Sequence, residues 1–153
     1  RIVFDFGKER VSGYDPERNW VYITDEQNKT GIRDTLGREI LPVQYKGLSW
    51  YQSGRYFTAE LPDGKRQLCT AEGKVVLSDF RYLQRLDDLP DGHLSAIADG
   101  DCHILAPDMR VLCRLPGKEI EKLEAYPDLI RVRDGAGGVR YVHFRKGIVC
   151  GGN

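Results

Sequence analysis

A glycine returns through this chain at a fixed beat. Gly37 in "TLGREIL" recurs as Gly73 in "AEGKVVL", 36 positions later. Another 36 positions reach Met109 in "APDMRVL", and one further period with one extra residue reaches Lys146 beside Gly147 in "FRKGIVC". The apolar position after that turn keeps time with it: Leu41, Leu77, Cys113, Cys150. A second set of turns does the same. Asp63-Gly64 recurs as Asp99-Gly100 and as Asp134-Gly135, and Asn28 lies one period before Gly64. Asn and Asp-Gly accept the positive φ that short hairpin turns require. Middle positions align as well: Leu48, Leu83 and Ile120, then Tyr51, Leu86 and Leu123. A chain with such a period is built from small units that bury their faces only against one another.

The unit is made of strands. "LIRVRDG" puts Ile130 and Val132 on one face and Arg131 and Arg133 on the other. "RYFTAEL" and "HLSAIAD" are its counterparts. "GKEIEKLEAY" competes as a helical turn or two, but its apolar residues fit neither period, and the aligned "KGLSWYQ" and "YLQRLDD" favour strand or irregular backbone. The units are drawn at 1–29, 30–65, 66–101, 102–138 and a partial 139–153, each with about three short strands. No linker or low-complexity segment divides them, which predicts one domain, 1–153. The expected fold is all-β: antiparallel meander repeats of about 36 residues, arranged as a propeller-like ring or an open twisted array.

"KTGIRDTLGREILPVQY" resembles the WG beta repeat, also called the KWG repeat, of bacterial proteins. Lys29, Gly31, Ile32, Asp34, Gly37, Ile40, Pro42 and Tyr45 match that family's pattern. The next unit keeps Gly64-Lys65, Gly73, Val75, Val76 and, in the aromatic slot, Phe80. The Trp-Gly dipeptide that names the family is replaced by Thr30-Gly31, Arg66-Gln67 and Cys102-His103. The resemblance implies a β-rich repeat array in a bacterial protein; the compartment, cytoplasm or cell envelope, is left open. It implies no established activity and no catalytic residues.

Charge excludes some partners. Among 153 residues there are 23 Lys and Arg against 23 Asp and Glu, a formal net charge of zero. Such a chain offers no global attraction to nucleic acid or to an anionic membrane. Its apolar runs are far too short for a helical span, so no membrane insertion is expected. It begins at Arg1 without Met and shows no secretory signal, which reads as a processed or excised piece.

Candidate chemistry is sparse. The cysteines (Cys69, Cys102, Cys113, Cys150) form no C-x-x-C pair and read as reduced core thiols. Cys113 and Cys150 are expected to be buried and unbridged. Cys102 and His103 are adjacent, so on a strand they face opposite ways and do not share a metal. His93, His103 and His143 read as surface residues. "DGAGGVR" lacks the helix of a phosphate cradle and reads as a hairpin. "DGDCH" lacks the distal Glu of a calcium loop and reads as a turn. Neither a catalytic residue, a cofactor nor a metal is assigned.

"SWYQSGRYF" gathers Trp50, Tyr51, Tyr56 and Phe57, with two expected in the core and two partly exposed. Trp50 and Tyr56 are the candidate binding residues, since large rings with polar handles are favoured at binding surfaces. The sequence therefore reads as a non-catalytic repeat module with a protein partner. The alternative is a carbohydrate- or envelope-binding module with Trp50 and Tyr56 stacked on sugar rings. An enzyme using Asp101, Cys102 and His103 ranks last.

Overall fold

The computed structural model describes residues 8–51 and 54–152, with side chains to residue 150. Residues 1–7, which open the first drawn unit, and Asn153, which closes the last, lie outside the described residues, as do 52 and 53.

Among the described residues, sixteen strands form four sheets. The first holds β1 (Arg10–Asp15), β2 (Trp20–Thr24), β3 (Thr30–Asp34) and β4 (Glu39–Tyr45). The second holds β5 (Gly47–Trp50), β6 (Tyr56–Glu60), β7 (Arg66–Thr70) and β8 (Val75–Phe80). The third holds β9 (Leu83–Asp88), β10 (Leu94–Ala98), β11 (Asp101–Leu105) and β12 (Val111–Pro116). The fourth holds β13 (Glu119–Lys122), β14 (Leu129–Arg133), β15 (Val139–His143) and β16 (Ile148–Gly152). Within each sheet the spatial order is the order along the chain. The fold is thus all-β, a series of antiparallel meanders whose first strands begin at Arg10, Gly47, Leu83 and Glu119.

The period is the expected one, but each meander has four strands rather than three. The sheets are also cut half a period away from the limits drawn at residues 29, 65, 101 and 138. Those limits fall on hairpins inside sheets. The chain leaves one sheet for the next at Lys46, at Arg81–Tyr82 and at Gly117–Lys118. Turn glycines mark the hairpins loudly, whereas the crossings carry no positive-φ residue. β5, β9 and β13 are short or charged, and no hairpin turn sets them off, so their register is silent in the sequence.

One turn recurs at Asp25–Lys29, Asp34–Arg38, Leu61–Lys65, Thr70–Lys74, Ala106–Arg110 and Asp134–Gly138. It is a three-residue loop whose last residue takes φ between 65° and 88°: Asn28, Gly37, Gly64, Gly73, Met109 or Gly137. Two chemistries hold it. In one, an acceptor at the first position caps the loop: Asp34 Oδ1 accepts the Leu36 and Arg38 amides at 2.9 and 2.8 Å. Asp25, Asp134 and Thr70 act in the same way. In the other, Pro-Asp fills the middle, and Asp63 and Asp108 accept the Lys65 and Arg110 amides. Asp99-Gly100 is instead a two-residue turn with φ of 50° and 81°. The turns expected in "DGDCH" and "DGAGGVR" are Asp99-Gly100 and Asp134–Gly138, and the rest of each stretch runs on as strand.

Contacts divide the chain into two compact units, Arg1–Asp79 and Phe80–Asn153. In the first unit, Trp20, Ile32, Leu41, Tyr45, Phe57, Ala59 and Cys69 join the first and second sheets in one core. In the second, Ile97, Cys102, Ile104 and Leu115 of the third sheet pack on Ile120, Ile130, Val132, Val142 and Phe144. A knob fastens each pair. Ile40 of β4 lies where a Cβ on Gly73 would sit 2.5 Å from its Cγ2, and Leu112 of β12 crowds Gly147 at 2.8 Å. These glycines serve twice, for the left-handed turn and for the close approach.

Candidate interaction surface

The β13–β14 connection is the long loop of the fourth sheet. Two successive turns build it: the Tyr126 amide donates to Leu123 O at 3.2 Å, and the Leu129 amide donates to Tyr126 O at 3.0 Å. Pro127 sits in the second turn. Arg145 pins the loop from below, donating to Asp128 Oδ1 at 2.6 Å and also pairing with Asp91 in the 3-10 turn Pro90–Gly92. Hydrogen bonds to Asp128 and then Asp91 push the guanidinium pKa upward, so Arg145 stays charged.

Under this loop opens an apolar pocket of 190 Å³, lined by Pro90, Leu123, Pro127, Leu129, Ile130 and Phe144, with the exposed Lys122 and Glu124. A groove of 460 Å³ runs along Glu121–Tyr126 to Tyr141. The two share Lys122, Leu123 and Glu124, so they form one surface. Tyr126 is 62% exposed and Tyr141 37%. Beside Tyr141, Glu121 pairs directly across the strands with Arg131. Hydrogen bonds to Glu121 and then to Tyr141 push the Arg131 pKa upward.

The sequence-derived binding residues lie in the first unit and face inward. Tyr56 is buried, with its ring 5.3 Å from that of Tyr51. Trp50 is half-buried: its ring lies 4.7 Å from Phe57 and 5.7 Å from Trp20, and its Nε1 donates to the Tyr22 hydroxyl at 3.1 Å. Arg18 stacks over Trp50. Of the four clustered aromatics, Tyr56 and Phe57 are buried while Trp50 and Tyr51 are half-buried.

Asp101, Cys102 and His103 do not converge. Cys102 is sealed in the core of the second unit, where burial pushes its thiol up to about 12. His103 points to the other face and meets Ala96 O at 3.3 Å; burial lowers its pKa. Asp101 is paired with Arg114. Among the described residues no group of three or more His, Cys, Asp or Glu could hold a metal.

Two expectations need correcting. Cys113 is half-buried and Cys150 exposed, where both were expected buried; the Cys150 slot falls on the outer face of the fourth sheet. Histidine is not at the surface: His93 is buried edge-on to Phe144 at 5.4 Å, and His103 and His143 are half-buried. All four cysteines are free.

Sequence reasoning missed Tyr126 and Tyr141. A signal for Tyr141 existed, since its third-strand slot holds Ile32, Leu68 and Ile104 in the other sheets.

No protein-family model matches the chain, and no curated protein matches it. Solved structures do show likeness. The WD40 beta propeller domain of Doa1 is 16% identical, over 88% of this chain and 50% of that one, with a TM-score of 0.38. BamB from Moraxella catarrhalis is 14% identical, over 88% and 49%, with a TM-score of 0.40. The computationally designed Ika8 protein is 13% identical, over 94% and 48%, also at 0.40. The chain spans about half the length of each of these. Among the described residues no helix is long and apolar enough to cross a membrane.

Proposed function

We infer that the chain is a non-catalytic repeat module whose work is to hold a protein partner. The observation that carries this reading is the pocket under Leu123 and Pro127, continuous with a groove edged by Tyr126 and Tyr141. A pocket of 190 Å³ suits one large apolar side chain. Tyrosine beside it adds contact area with a polar end, at little cost in conformational entropy. Arg145 holds the loop in place beforehand, which lowers the ordering cost of binding. The resemblance of residues 29–45 to the WG repeat supports an array of this kind.

A photo-crosslinking residue at position 126 tests the reading, with position 82 as control, since Tyr82 is equally exposed at 67%. Adducts with one partner from 126 and none from 82 are expected. Equal adducts from both, or a copurifying partner that never crosslinks from 126, would remove the groove from the account.

A further inference from the structure

The repeat lets matching loops of the two units be compared. In the first unit a basic side chain of the chain itself joins the β1–β2 turn to the loop after β5. Arg18 lies 4.2 Å from the centre of the Trp50 ring and donates to Gly54 O at 2.9 Å. Trp50 ends β5 and pairs with Phe57; its match in the fourth sheet is Lys122, which ends β13 and pairs with Ile130. In the second unit the β9–β10 turn, Pro90–Gly92, brings a carboxylate, Asp91, in place of a cation. The bridging arginine there is Arg145 of the β15–β16 turn, and Asp91 and Asp128 take it up. The apolar pocket lined by Pro90 and Pro127 stays open.

The mouth of this pocket is not neutral. Asp91 follows Pro90 and Asp128 follows Pro127; both are exposed, and both share the one guanidinium of Arg145. Glu124 lines the pocket, is exposed and has no ion pair among the described residues. Lys122 lines it as well. Two cations thus stand among three carboxylates, and the excess is negative.

We propose that the pocket selects a partner segment in which an apolar side chain stands next to a basic residue. The apolar side chain sits among Pro90, Leu123, Pro127 and Phe144, and the long stem of the basic residue reaches the rim at Glu124. Leaving water drives the first contact. The second decides which segments are accepted, because an acidic residue in the same place meets the carboxylates of the rim. This rests on the partner reading above and adds the chemistry of the partner.

The test is a titration of the full chain with blocked dipeptides, read from the amide chemical shifts of Leu123, Ile130 and Phe144. Acetyl-Leu-Arg-amide should bind about fivefold tighter than acetyl-Leu-Glu-amide. Acetyl-Gly-Arg-amide keeps the charge without the anchor and should bind more weakly than acetyl-Leu-Arg-amide. Glu124→Gln should narrow the gap between the Arg and Glu peptides, and Glu124→Lys should reverse their order. Equal binding of those two peptides, or an order that Glu124→Lys leaves as it was, would overturn the proposal while the apolar pocket stands. So would acetyl-Gly-Arg-amide binding as tightly as acetyl-Leu-Arg-amide. Shifts from none of the three peptides would remove both the proposal and the pocket as a docking site.

Discussion

The guanidinium of Arg18 lies 4.2 Å from the centre of the Trp50 ring. The same group donates to Asp15 Oδ2 at 2.7 Å and to Gly54 O at 2.9 Å. One side chain from the β1–β2 turn therefore clamps the loop that follows β5, and it takes up one face of the tryptophan. Removing it as Arg18→Ala should cost about 1–3 kcal/mol in urea unfolding. Trp50 should also become more open to acrylamide quenching. Arg18→Lys should recover only part of the loss, because a point charge cannot stack and fork at once.

Gly73 carries both a left-handed backbone and the Ile40 knob. Gly73→Ala should destabilise by about 2 kcal/mol or more. Ile40→Ala removes the atom that the new Cβ would strike. The double variant should therefore lose less than the two single losses added together, with the backbone part remaining. Chemical unfolding of all four proteins gives the coupling, and strict additivity would show that Ile40 is not the obstacle.

Asp34 caps its turn and pairs with Arg38 at 2.7 Å. Burial alone would raise its pKa. The Arg38 amide, the Arg38 guanidinium and the Leu36 amide together outweigh that, leaving it below the ordinary 3.8. A lowered folded pKa means stability that is present above the unfolded value and lost as pH falls through the folded one. Asp34→Asn should thus be less stable than wild type at pH 7, with the gap closing below about pH 4. Arg38 is 76% exposed, so Arg38→Ala should change stability by less than about 1 kcal/mol.

The thiols should separate by site. Cys69 and Cys102 are buried, and burial pushes both up to about 12. In the folded protein at neutral pH, alkylation followed by mass spectrometry should label Cys150 first and leave these two untouched until unfolding. Cys113, half-buried and with its pKa raised by burial, should fall between them. Rapid labelling of Cys102 would place it outside the core.

The beat of turns was legible because positive φ limits which residues can stand there. It was legible even at Met109, where no glycine stands but φ is 70°. The phase of the sheets was not legible. A crossing such as Lys46 needs no special residue, so nothing in the sequence separates it from a continuing strand. Trp50 and Tyr56 were visible as aromatics, but composition cannot say which face a ring takes: Trp50 packs against Trp20 and Phe57, and Tyr56 is buried beside Tyr51. Cys150 looked like Cys113 for the same reason. Equivalent slots share a sequence pattern that does not say what lies over them: Cys113 packs against a core, and Cys150 is exposed.

The unbroken neighbour-to-neighbour order of every sheet has a kinetic consequence. Each strand pairs only with the strand just before or after it, so a sheet closes with short chain loops and a small loss of loop entropy. A meander can therefore take shape soon after its last strand leaves the ribosome. It cannot persist alone, since its apolar face needs the next sheet's. Ile40 waits for the Gly73 turn, and Leu112 waits for the Gly147 turn. The vulnerable moment in synthesis should fall between the completion of one sheet and the emergence of the glycine turn that locks it.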